Sequence, residues 1–240
     1  MSEVVTLGDC TLIWGDCREV LPGLPKHDLL LTDPPYGIGA DAAAKAAADS
    51  RIKANGNSKA GRGWKDYGKT DWDSERPAPW LFGLIQEKGD ECVIWGGNYF
   101  TDLLPPSMRW LVWDKGQRDF SLADCEFAWS SEHKAARVLT LSRGEALQDG
   151  KEHPTQKPVR LMSWCLEMHP QAMTVLDPFM GSGTTGVACI QLGRKFTGIE
   201  RERKYFDIAV SRIDRALSQR KLFNDEDLQQ VQQVQTALGI

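Results

Sequence analysis

Thr174-Val175-Leu176-Asp177-Pro178-Phe179-Met180-Gly181-Ser182-Gly183-Thr184-Thr185-Gly186 decides how the chain is read. Thr174-Val175-Leu176 is a short strand that runs into a Gly-x-Gly-x-x-Gly turn, and a helix follows through Leu192. Glycines in such a turn let the backbone approach a ligand closely, and the helix N-terminus presents free N–H groups to it. Lys195-Phe196-Thr197-Gly198-Ile199 reads as the next strand and closes on Glu200. A carboxylate there is placed to accept hydrogen bonds from ribose hydroxyls. Taken alone, this pattern indicates a nucleoside-containing cofactor, with a dinucleotide such as NAD among the choices. A plain strand-to-helix turn is the alternative. A long helix begins near Arg203 and runs past Arg215.

Toward the N-terminus the same alternation appears. Thr11-Leu12-Ile13-Trp14 is a short apolar run ending at Gly15-Asp16, and Asp28-Leu29-Leu30-Leu31-Thr32 is continuous, as in a strand buried on both faces. That strand stops at Asp33-Pro34-Pro35-Tyr36, because two prolines cannot continue a central strand. Each residue of the tetrapeptide has a chemical use. The carboxylate accepts a hydrogen bond from an exocyclic amino group. The prolines stiffen the turn and leave carbonyls without a competing donor. The aromatic ring can stack on a planar base.

Between these motifs, Trp80–Lys88 reads as a helix, and Glu91–Trp95 and Trp110–Trp113 as strands. Glu126–Ser130 and Arg137–Leu141 are expected as two further strands, antiparallel, and Val159–Met168 as a helix. The fold class is therefore α/β, a Rossmann-like, doubly wound, mostly parallel sheet with an antiparallel edge hairpin. Ala40–Gly63 is rich in Ala, Lys, Gly, Ser and Asn without apolar periodicity, and a mobile basic loop is expected over 37–76. From Ala40 to Thr70, seven Lys/Arg against three Asp leave a local charge of +4. The tail, 224–240, is polar and Gln-rich, with Leu228, Val231, Val234 and Leu238 near helical spacing. It reads as a helix packing on its own domain, with a homodimer contact as the alternative.

The 240 residues suit a single domain, and 41% hydrophobic residues suffice for a sizeable core. A net charge of −4 excludes a wholesale polycation and leaves nucleic acid to local patches. No apolar run approaches the roughly 20 residues of a membrane span, so no membrane partner is expected. The six cysteines lack a C-x-x-C pair, and the four histidines are scattered, so neither disulfides nor a metal site is expected.

Thr32-Asp33-Pro34-Pro35-Tyr36-Gly37 together with Asp177–Thr184 resembles the amino-methyltransferases of DNA. The Asp-Pro-Pro-Tyr motif precedes the glycine-rich one, as in the beta-class, circularly permuted members, and His153-Pro154-Thr155-Gln156-Lys157-Pro158 resembles that group's third signature. The resemblance spans nearly the whole chain and is weakest over 40–75 and 115–150. It implies a fold of the class I S-adenosylmethionine-dependent methyltransferase type, with S-adenosylmethionine as the cofactor in place of NAD. By the resemblance, Asp33, Pro34, Pro35 and Tyr36 serve the target base as the catalytic set. Asp16, Asp33, Lys157, Asp177, Phe179, Gly181, Ser182, Gly183, Thr184, Thr185 and Glu200 surround the cofactor. Glu200 holds the ribose, Asp16 lies near the adenine, and Lys157 closes over the methionine end. The Asp form of the tetrapeptide goes mostly with adenine.

The expected activity is site-specific methylation of N6 of a flipped adenine in double-stranded DNA, in a bacterial or phage-type cytoplasmic setting of restriction-modification. N4 of cytosine, another Rossmann-type dinucleotide enzyme, and a DNA-binding module without catalysis are the alternatives. Two basic sets are candidates for DNA contact. Lys53, Lys59, Arg62, Lys65 and Lys69 lie in the basic loop. Lys115, Arg118, Lys134, Arg137 and Arg143 lie in a small variable segment, 115–152, expected to recognise the target.

Overall fold

The computed structural model describes residues 2–39, 75–118, 123–146 and 156–222. The expected loop, most of which is 40–74, and the tail from 224 lie outside them, as do Lys53, Lys59, Arg62, Lys65 and Lys69. The strands are β1 (Glu3–Leu7), β2 (Cys10–Trp14), β3 (His27–Thr32), β4 (Gly89–Trp95), β5 (Trp110–Asp114), β6 (Cys125–Ser130), β7 (Arg137–Thr140), β8 (Thr174–Asp177) and β9 (Lys195–Glu200). The helices are α1 (Cys17–Val20), α2 (Pro79–Glu87), α3 (Arg143–Ala146), α4 (Val159–Glu167), α5 (Thr184–Gln191) and α6 (Arg203–Leu222).

The nine strands among the described residues form one sheet in the order β1-β2-β9-β8-β3-β4-β6-β5-β7. From β2 through β4 every neighbour is parallel. The continuous apolar run of β3 is what a two-sided position requires. Leu29 and Leu31 face the layer containing Leu161, Cys165, Ala188 and Ile213, while Leu30 faces Leu81, Phe82, Ile85 and Phe100. The connection from β3 leads to β4 on one side, and that from β8 leads to β9 on the other. Strand order thus reverses between β3 and β8, the place where open α/β sheets hold ligands beyond the carboxyl ends of their strands. Registered pairing there consists of Leu29 with Val175 and Leu30 with Leu176, and stops short of both motif turns.

The expected sheet is present, with two differences in detail. The antiparallel edge hairpin is β1–β2, joined at Gly8-Asp9, and β1 is a strand that apolar patterning does not reveal because its residues are largely exposed. At the other edge, Cys125–Ser130 and Arg137–Thr140 are both strands but do not pair with each other. β5 lies between them, antiparallel to β6 and parallel to β7. Burial explains the order. Ala128, Trp129 and Ser130 are buried and need a neighbour on each side, whereas β7 is mostly exposed and suits an edge.

Candidate active site

The carboxyl ends of β2, β3, β8 and β9 surround a cleft of about 310 Å³, within the usual range for a small-molecule site. Asp16, Asp33, Pro35, Lys157, Asp177, Phe179, Gly181, Ser182, Thr184, Thr185 and Glu200 line it, so most of the expected cofactor set converges.

Asp177 holds the floor together. Its Oδ1 accepts from Thr32 Oγ1 at 2.7 Å and from the Phe179 N–H at 3.1 Å, and its Oδ2 accepts from Thr185 Oγ1 at 2.7 Å. Burial pushes its carboxyl up to about 6 in spite of these donors. Asp177 and Thr185 therefore brace the turn with their polar atoms. Gly183 packs away from the cleft: it takes φ +78°, and a Cβ would come within 2.9 Å of Ala209 on α6. Ser182 and Thr184 are also committed, because Arg212 Nη1 donates to the Ser182 carbonyl at 2.7 Å, to Ser182 Oγ at 2.9 Å and to Thr184 Oγ1 at 3.1 Å. Arg212 is a residue that motif reading misses, since it reaches the turn from α6.

Glu200 is seated by two backbone donors, the Gly181 N–H to Oε2 at 3.0 Å and the Glu202 N–H to Oε1 at 2.7 Å. Each oxygen keeps a lone pair for the cleft. Burial pushes this carboxyl up to about 7. Asp16 caps α1 and receives Arg18, which holds its carboxyl below the usual range.

At the second turn, Tyr36 Oη donates to Asp33 Oδ1 at 2.5 Å, and Lys157 Nζ donates to Asp33 Oδ2 at 2.7 Å and to Tyr36 Oη at 3.1 Å. Lys157 also lies 3.2 Å from Glu126 Oε2, and Lys115 Nζ lies 2.7 Å from Glu126 Oε1. Burial opposes the charge on Lys157, but Asp33 and Glu126 more than offset it and hold the ammonium well above its ordinary value. Burial would likewise raise Glu126, yet Lys157 and Lys115 pull it down to about 2. Burial pushes the Asp33 carboxyl up against the pull of Lys157. The Lys157 ammonium is thus turned toward Asp33, another member of the expected cofactor set that lines the same cleft. The Tyr36 ring stacks on Tyr99 with centroids 4.8 Å apart and planes at 16°. It is seated by Gly96, where φ is +68° and a Cβ would fall 2.1 Å from Tyr36 Cε1. Gly96 and Tyr99 are further site residues that the motifs did not indicate.

The second basic set needs one correction. Lys115 is 8% exposed, paired with Glu126 and set 5.1 Å over the Trp113 ring, so it is not a surface contact for DNA. Burial beside an acid consumes its charge. Arg118 is exposed but bidentate on Asp114, Lys134 is exposed and paired with Glu132, and Arg137 is exposed. The Arg143 side chain lies outside the described residues.

Among the described residues one group, Glu91, Glu132 and His169, brings possible metal-ligand atoms together. It lies toward the amino-terminal end of the strands, away from the cleft. Arg109 Nε at 2.7 Å from Glu132 Oε2 and Lys134 Nζ at 2.5 Å from Oε1 already neutralise its central carboxylate.

Comparison with solved structures places this architecture among the DNA methyltransferases. The M1.HpyAVI–SAM complex aligns with a TM-score of 0.54 at 22% identity, covering 85% of this chain and 99% of that one. The cytosine-N4-specific PvuII DNA methyltransferase aligns with a TM-score of 0.55 at 17% identity, covering 86% and 87%. The fold is therefore the class I methyltransferase fold.

In sequence, the N6_N4_Mtase family, described as DNA methylase, matches residues 111–211, which take in Lys157, the Asp177 turn and Glu200 but not the Asp33 turn. The Type II methyltransferase M2.LlaDCHI of Lactococcus lactis subsp. cremoris is 32% identical over 160 residues, 64% of this chain and 52% of that protein. The chain spans about half the length of the curated relatives it matches. These matches bear out the resemblance to the DNA amino-methyltransferases.

Proposed function

We propose that the chain transfers a methyl group from S-adenosylmethionine to the exocyclic N6 of a flipped adenine in duplex DNA. The observation that carries this reading is the single cleft shared by the Asp33 and Asp177 turns, since an amine and its methyl donor must meet in one place. The residues present fit the cofactor. Glu200 offers two acceptor oxygens for vicinal hydroxyls, Asp16 offers an acceptor at the far end, and Phe179 supplies an apolar wall. S-adenosylmethionine bound there supplies a methyl group activated by its sulfonium.

The chain's own work is done at the amine. The nitrogen of adenine is a poor nucleophile because its lone pair is delocalised into the ring. Hydrogen bonds from that amine to the Asp33 carboxylate and the Pro34 carbonyl favour a more pyramidal nitrogen with its lone pair free. Positioning of this kind is worth up to roughly 7–11 kcal/mol in well-oriented systems. Tyr36, backed by Tyr99, offers a two-ring platform for the extruded base. Double-stranded DNA as partner, recognition by the segment 115–152, and the beta-class arrangement belong to the same proposal. So do DNA contacts through the first basic set and through Arg118, Lys134, Arg137 and Arg143.

Incubation with labelled S-adenosylmethionine and unmethylated DNA, followed by nucleoside analysis, tests the reading. N6-methyladenine is expected. N4-methylcytosine overturns the choice of base, and absence of transfer overturns the activity.

A further inference from the structure

We propose that Glu126 is a positioning residue, an anionic dock to which the Lys157 ammonium moves when the target amine takes its place on Asp33. The inference rests on the reading of Asp33 as the acceptor of that amine.

Both oxygens of Asp33 already have donors from the chain itself, Tyr36 Oη on Oδ1 at 2.5 Å and Lys157 Nζ on Oδ2 at 2.7 Å. An amine hydrogen-bonded to Oδ2 would therefore compete with the ammonium for one oxygen. Lys157 is 6% exposed, so it cannot simply retreat into water. A buried ammonium taken from its one counter-ion is strongly disfavoured, but one passed between two anions stays paired throughout. Glu126 Oε2, 3.2 Å from the same nitrogen, is that second anion. It reaches the ammonium from β6 and is held by Lys115 Nζ, 2.7 Å from its other oxygen. Lys115 is buried in turn and lies over the Trp113 ring. The dock is therefore fixed on the sheet while Lys157, with four rotatable methylenes, is the part that moves. Glu126 lies in the segment between 115 and 152, so the part of the chain proposed to meet DNA also sets how readily Asp33 accepts the base.

The full chain and its Glu126→Gln and Glu126→Asp variants would be assayed for labelled methyl transfer to unmethylated bacterial genomic DNA. S-adenosylmethionine affinity by calorimetry and the melting temperature would be measured on each. Removing the dock traps Lys157 on Asp33, so Glu126→Gln is expected to raise the KM for DNA about tenfold while kcat and cofactor affinity change little, and Glu126→Asp to recover most of it. An unchanged KM, or a loss confined to kcat or to cofactor affinity, overturns the dock. If Glu126→Gln does not fold, Glu126→Asp decides: a KM raised about threefold with an intact melting temperature supports the dock, and an unchanged KM overturns it. Absence of transfer by the unsubstituted chain removes the reading on which the dock rests, whereas transfer with an indifferent Glu126 removes the dock alone.

Discussion

Thr32 Oγ1 donates a 2.7 Å hydrogen bond to Asp177 Oδ1, tying the last residue of β3 to the last residue of β8 where the strand order of the sheet reverses. The bond begins where backbone pairing between the two strands has already ended. Asp177 is thus a brace across two strand ends whose backbone pairing has stopped, beside the cleft that both turns line.

Asp177→Asn tests that role. The amide replaces one acceptor-only oxygen with a donor, so the Thr32 or Thr185 hydroxyl must turn to accept and its buried, charge-assisted bond to the carboxylate is lost. A loss of about 2 kcal/mol is expected for such a defect, and a chain of this size should then melt about 4–8 °C lower. Calorimetric melting checks it, and an unchanged melting temperature would place the brace elsewhere.

Asp33→Ala removes the acceptor for the target amine while Glu126 remains as a counter-ion for Lys157. Methyl transfer is expected to fall by about 10³-fold, and S-adenosylmethionine binding to stay within a few-fold of the unsubstituted chain. A single-turnover assay with labelled cofactor measures the first and calorimetry the second. Retained transfer would show that another group receives the amine.

Glu200 couples the cleft to pH. Burial raises its carboxyl from an ordinary value of 4.5 to about 7, so the folded chain holds this proton more tightly than the unfolded chain. Its contribution to stability is present below about 4.5 and is lost as pH rises through about 7. Cofactor binding has the opposite sense, because the ionised carboxylate is the form that accepts from hydroxyls without offering a proton. Affinity for S-adenosylmethionine is expected to rise as pH increases through about 7 and then level. Glu200→Gln, which also leaves either the Gly181 or the Glu202 N–H facing a donor, should give weaker, pH-flat binding. Calorimetric titration across the range reads this, and a flat profile for the unsubstituted chain counts against Glu200 as the hydroxyl acceptor.

Gly96→Ala acts through a ring that the substituted atom does not belong to. A Cβ there would fall 2.1 Å from Tyr36 Cε1 and must displace the ring. The expected result is a loss of transfer of at least about tenfold, with cofactor affinity preserved, read in the same pair of assays. Wild-type kinetics would mean that Tyr36 is free to move without consequence.

The sequence makes the centre of the fold legible because β3 and β8 carry short apolar runs that stop at an Asp-Pro turn, and both signals are local. The edges are harder to read. β1 is too exposed to show a pattern, and the place of β5 between β6 and β7 depends on burial that is decided across the sheet. The site divides the same way. Asp33, Asp177 and Glu200 announce themselves at strand ends, where chain order and chemistry coincide. Arg212, Gly96, Tyr99 and Glu126 reach the cleft or its neighbours from other elements, and no local pattern marks them. Lys115 shows the cost of counting charges without partners, since a lysine in a basic segment proves to be a buried half of an ion pair.

The most direct test is a crystal structure of the chain with sinefungin, an analogue that carries an amine where the transferable methyl would be. The ribose hydroxyls are expected on Glu200, with the amine pointing to the Asp33 carboxylate between the two turns. A ligand seated elsewhere, or one whose amine faces away from Asp33, would contradict the shared cleft as the place where methyl and base meet.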